Sequence, residues 1–188
     1  MNWDVFSGLA TAIACLVAIG IAMRTEYTLK HDAQKRSGLV AATCIPQLVE
    51  IAENASRIHT FLTFRKMHIV KGEQFPLLLP RRWEEAIKVL NGDTLTFLEP
   101  LQNNAAYRAA EAVGMLREIG HDVREFENGS AGWHQMHVNV REKHIQRITT
   151  VFSDAHVILR AALIDFNHAA RSKIKPLTPE EQRFVDSV

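Results

Sequence analysis

Disulfides, a surplus of charge and phosphate-binding glycine loops are all missing from this chain, and each absence removes a class of protein. Only two cysteines occur, Cys15 inside an apolar run and Cys44 in a helical stretch. Two thiols so placed build no disulfide framework, which fits a reducing compartment. Lys and Arg together number 22 against 21 for Asp and Glu. No bulk field of either sign draws nucleic acid, whose binders present a strongly basic face, so no nucleic-acid partner is expected. A Gly-rich phosphate loop, a His-Glu-x-x-His pair and a nucleophile elbow are absent. No serine or cysteine is paired in sequence with a base. The chain therefore reads as having no cofactor and no catalytic residue, and the leaning is towards a protein that is not an enzyme.

A long uncharged run is present. Val5 to Met23 holds no Asp, Glu, Lys or Arg and is dominated by Leu, Ile, Val and Ala. About 19 residues at about 1.5 Å each just cross a hydrocarbon layer of about 30 Å. Trp3 stands at its border, where indole favours the headgroup level. A cleaved signal peptide would need a basic leader, and Met1-Asn2-Trp3-Asp4 has no Lys or Arg. Residues 1–23 are thus expected to be an N-terminal segment with a single-pass membrane anchor, its bilayer contact made by residues 5–23. Arg24, Lys30, Lys35 and Arg36 follow the run, and basic residues stay on the cytoplasmic side. That places the N-terminus outside and the C-terminal domain in the cytoplasm. The opening Met1-Asn2-Trp3 before one membrane helix and a helical body resembles small bacterial inner-membrane proteins, and the resemblance implies the inner membrane.

The rest reads as all-α. A juxtamembrane helix is expected over 24–37, ending at Ser37-Gly38, then a cytoplasmic bundle of about four main helices over 38–172. A tail over 173–188 carries one short helix capped at Thr178-Pro179-Glu180-Glu181. Cys44, Leu48, Ile51, Ala55, Ile58 and Leu62 trace one helix face, with Pro46 inside it either kinking the helix or reversing the chain. Residues 67–80 read as a loop. A helix starting near Pro80 stops at Asn91-Gly92, and Asp93 caps the turn after it. Two long helices, about 104–127 and 133–171, keep four-three spacing and form an antiparallel hairpin. Folding them about residue 130 sets Phe152 opposite Ala109, and Leu116, Ile119 and Val123 opposite Val138, Ile145 and Ile148.

Four residues are weak metal candidates. Glu118 and His121 form a Glu-x-x-His pair of the type used in di-metal bundles, echoed by Asp165 and His168. Helical periodicity turns these side chains away from the seam, where a core site needs them inside. His134 and His137 lie one helical turn apart, with His144 further on, but zinc needs more ligands than two. The plainer reading is a solvated histidine-rich helix start, and no metal is expected.

Two stretches suit an interaction surface. Phe75, Leu77, Leu78 and Leu79 stand beside Arg81 and Arg82, a mixture that fits anionic lipid or a partner protein. The simpler expectation is that Phe75 and the leucines close the end of the core. Val157, Ala161 and Ile164 form a second apolar stripe opposite the main seam, which is either central in the domain or an oligomer contact. The expected function is that of a non-enzymatic, membrane-anchored helical module binding other proteins, membrane-bound or cytoplasmic, or a second copy of itself. The alternatives are a ligand-sensing or metal-dependent enzyme domain with a pocket between bundle helices, and a membrane-perturbing effector.

Overall fold

The computed structural model describes residues 3–72, 74–88, 90–129 and 132–171, with side chains described from Cys15 onward. The tail over 173–188, with its capping motif, lies outside the described residues. Among the described residues the fold is all-helical. Five α-helices follow in order: α1 (Trp3–Lys71), α2 (Trp83–Ala86), α3 (Gly92–Leu98), α4 (Ala105–Glu127) and α5 (Val138–Arg171). Short 3-10 turns precede α4 and α5. Among the described residues no helix is long and apolar enough to cross a membrane. The first ten residues of the run Val5–Met23 belong to the part of α1 whose side chains lie outside the description.

α1 corrects three expectations. It is one helix of 69 residues and does not end at Ser37-Gly38. Both of those residues are buried where α1 enters the bundle, and that packing outweighs the roughly 1 kcal/mol helix cost of glycine. Pro46 neither ends α1 nor reverses it. It lies on the exposed side, and Ala42, whose carbonyl it leaves without an amide donor, is exposed as well. Buried Ala41, Cys44, Leu48 and Ile51 hold the turns on either side. The expected loop over 67–80 begins only at Gly72, because Ile69 and Val70 find the core and carry the helix to Lys71.

Three long helices make the bundle, with α5 between α1 and α4. His156 Nδ1 donates to the Ala52 carbonyl at 2.9 Å, and His59 Nδ1 to that of Thr149 at 3.2 Å. Lys66 meets Glu142 at 3.0 Å. As α1 advances its partners on α5 recede, so the two run antiparallel. Arg108–Asp165 at 2.6 Å and Arg147–Glu118 at 2.9 Å make α4 antiparallel to α5 in the same way. The hairpin is therefore real, but its register differs from the expected one. α5 begins at Val138, after the turn Trp133–Gln135. The ion pairs put Phe152 level with the middle of α4, not with Ala109. Val138 is 45% exposed instead of lying in the seam.

What Phe152 meets is Trp83, ring centre to ring centre at 6.0 Å. Trp83 is buried and enters the groove between the long helices. The expected helix from Pro80 is only the four residues of α2 around this indole. A Cβ added at Gly120 would lie 2.5 Å from Trp83 Nε1, so α4 carries its glycine where the rigid ring lies. Gly114, with nothing within 4 Å of an added Cβ, supplies the contrast. Glycine to alanine in an exposed helix interior normally stabilises by up to about 1 kcal/mol, and Gly114→Ala should do so. Gly120→Ala should instead destabilise by about 1–3 kcal/mol through overpacking. Thermal unfolding of the two variants compares them, and a gain in stability from Gly120→Ala would contradict this packing. Further on, Asn91 rather than Asp93 caps α3, accepting from Thr94 N at 2.8 Å.

Candidate interaction surfaces

The strap between α1 and α2 is held from α4. Glu127 has a side chain only 1% exposed. Its Oε1 accepts from the backbone N–H of Leu78 at 2.6 Å and of Leu79 at 2.8 Å, while Oε2 pairs with Arg124 at 2.8 Å. Arg124 also donates to the Pro80 carbonyl at 2.8 Å. A peptide without strand partners must place its N–H and C=O groups somewhere, and one Glu–Arg pair takes three of them. At the same end Arg141 is buried on α5. It donates to the carbonyls of Gly72 at 2.7 Å and His134 at 2.8 Å, and lies over the Trp133 ring at 5.7 Å. A cation there also suits the negative end of the α1 dipole. Neither Glu127 nor Arg141 was singled out by sequence, because a lone charge on an apolar helix face carries no periodic signal.

This clamp divides the strap residues. Phe75 turns inward onto Phe126 at 5.3 Å and Trp133 at 4.9 Å. Leu79 is buried with it and Leu78 is half-buried. Phe75 and Leu79 therefore close the core, and the simpler expectation that all the leucines do so is corrected at Leu77. Leu77 is 83% exposed, and Arg81 and Arg82 also face outward. Leu77 lies beside Phe61 along a shallow groove on α1, and Phe64, one turn on from Phe61, is exposed too. The two phenylalanines belong to this patch although the seam on α1 gave no reason to choose them.

The second stripe stays open. Val157 is 62% and Ile164 71% exposed, with Ala161 half-buried between them. The reading that sets this stripe at the centre of the domain is corrected. α5 turns His156 and Leu163 towards α1 instead, and the stripe lies to one side of that contact. Its α4 flank is organised by Asp165, which accepts from Arg108 at 2.6 Å and from Asn103 Nδ2 at 3.0 Å. Asn103 and Asn104 hold φ of 57° and 53°, a left-handed geometry that asparagine tolerates better than most side chains. The pair turns the chain sharply into α4 and delivers the Asn103 amide to Asp165.

The metal candidates are not brought together as a centre. Glu118 pairs with Arg147, and His121 lies 3.6 Å from Glu125 on the solvent side. His137 stands at the start of α5, its Nδ1 accepting from Asn139 N at 3.4 Å, and His134 is exposed. Among the described residues no group of three or more His, Cys, Asp or Glu side chains could hold a metal ion. Burial pushes the Cys44 thiol up, with a weaker opposing hydrogen bond from Thr43, which leaves it a poor nucleophile at neutral pH. A cleft of about 220 Å³ lies where α1 enters the bundle, lined by Ser37, Gln102 and His168 together with Pro100 and Leu101. Its volume is below the usual range of small-molecule sites, about 300–1,000 Å³. No protein-family model, curated protein or solved structure matches the chain.

Proposed function

We propose that the chain is a non-enzymatic, single-pass membrane protein of the bacterial inner membrane whose helical bundle binds proteins. One observation carries the reading. From Cys15 to Arg36 the side chains of α1 are exposed apart from half-buried Ala33, and Leu16, Val17, Ile19, Ile21 and Met23 are among them. The bundle begins only at Ser37. A helix that leaves its domain bare on all sides is marginal in water, and these apolar side chains need an apolar medium. The uncharged run that they continue, back to Val5, suits a bilayer. The basic residues after it favour a cytoplasmic bundle. From Arg24 to Lys71, α1 extends roughly 70 Å at 1.5 Å per residue. The strap with Leu77, Arg81 and Arg82 then stands at the far end from the anchor, which favours protein over lipid as its partner.

Two measurements test this. Washing membranes of expressing cells with alkaline carbonate should leave the full chain in the pellet, and deletion of residues 1–23 should release it. A full chain released by carbonate would overturn the anchor. Fusions after Val188 decide the orientation: green fluorescence is expected, and an active alkaline phosphatase with a dark fluorescent fusion would reverse it.

A further inference from the structure

We infer that the open stripe of α5 is a contact between two copies of this chain, paired with their α5 helices parallel. The inference deepens the interaction-module reading by naming the partner. Val157, Ala161 and Ile164 follow one another by four and three residues, the spacing of a two-helix seam, with a small residue between two larger ones. The side chains on its flanks choose the direction. Arg160 lies exposed on one flank. Asp165, five residues on, lies on the other, and Arg108 and Asn103 hold it from the α4 side.

In a parallel pair these are the two positions that meet across the seam, so each Arg160 approaches the other copy's Asp165. A carboxylate accepts more than the two hydrogen bonds that Asp165 already has. An antiparallel pair that matched Val157 with Ile164 would have its centre beside Arg160 and bring the two guanidinium groups together. Like charges at such positions oppose pairing, and opposite charges set partner and orientation. Parallel α5 helices also send both copies of α1 out of the bundle in the same direction, as two chains in one membrane require. The seam is short, ending at Asp154 and His168, and confinement of both copies to one bilayer raises their effective concentration.

Cysteine cross-linking of the full chain tests the pairing. Cys15→Ser removes the exposed thiol, and buried Cys44 can stay. Single cysteines at Ala161→Cys and Ile164→Cys, oxidised in membranes and in purified detergent-solubilised protein, should each give a band of twice the chain mass. Tyr107→Cys, exposed on α4, should not. Adding Arg160→Glu should reduce the Ala161→Cys yield several-fold. Circular dichroism checks that each variant is folded, and Val157→Cys replaces any that is not. Monomer from both seam cysteines would overturn the pairing. So would equal yield from Tyr107→Cys, a band of any other mass, or linkage only between mixed Val157→Cys and Ile164→Cys chains, which reports an antiparallel pair. Retention in carbonate-washed membranes is scored on the same samples, so loss of the pairing and loss of the anchor are told apart.

Discussion

Phe152→Ala should lower the unfolding free energy by about 3–5 kcal/mol, the range for deleting a buried aromatic side chain. Phe152 is fully buried on α5, and its ring neighbour Trp83 is itself buried. Removing it leaves a cavity that α4 and α5 can close only in part, because buried Leu116, Ile119, Ile148 and Leu159 already hold the two helices in contact. Two companions calibrate the result. Glu118→Ala, 74% exposed and paired only at the surface, should stay within about 0.5 kcal/mol of the parent. Ala109→Leu at a fully buried site should cost about 1–3 kcal/mol by overpacking. Urea unfolding of the full chain in mild detergent measures all three. If Phe152→Ala were as silent as Glu118→Ala, the bundle core would not lie where it is described.

Glu127→Ala is expected to cost a comparable amount, about 3–5 kcal/mol, as when one partner of a buried pair is removed. The loss leaves the N–H groups of Leu78 and Leu79 without their acceptor and Arg124 without its carboxylate. Glu127→Gln retains an acceptor oxygen for the strap but loses the charge, so it should recover part of the difference. Amide hydrogen exchange separates a local from a global effect. Leu78 and Leu79 should exchange much faster in Glu127→Ala, while Ile145 and Phe152 on α5 stay protected below the unfolding transition. Unchanged protection at Leu78 and Leu79 would show that Glu127 does not hold the strap.

The long helices were legible wherever one face repeats without interruption. Leu116, Ile119 and Val123 on α4, and Ile145, Ile148 and Phe152 on α5, were all expected inside and are all buried. Glu118 and His121 were expected outside and are exposed. The end of the first hairpin helix near residue 127 was legible as well: α4 stops at Glu127, and Gly129 takes φ of 72° just after its cap. Register was not. It depends on how much chain the turn consumes, and the 3-10 turn Trp133–Gln135 takes up residues that periodicity had assigned to the helix. The interaction surfaces were legible by half. Leu77, Val157 and Ile164 are exposed, whereas Phe75 and Leu79 are core, and apolar residues in a loop look alike until something fixes the backbone.

The sequence by itself determined the helical class, the inward faces of the long helices and the uncharged run near the N-terminus. Each of these follows from residue type and local spacing along the backbone. Tertiary structure alone decided that α1 continues through Ser37-Gly38 and past Pro46, that Trp83 lies against Gly120, and that Glu127 and Arg141 hold the far end together. It also left the Val157–Ile164 stripe uncovered. The physical reason is common to all of them. A glycine, a proline or a lone charge has a local preference of about a few kcal/mol at most, and contacts from segments distant in sequence outweigh it.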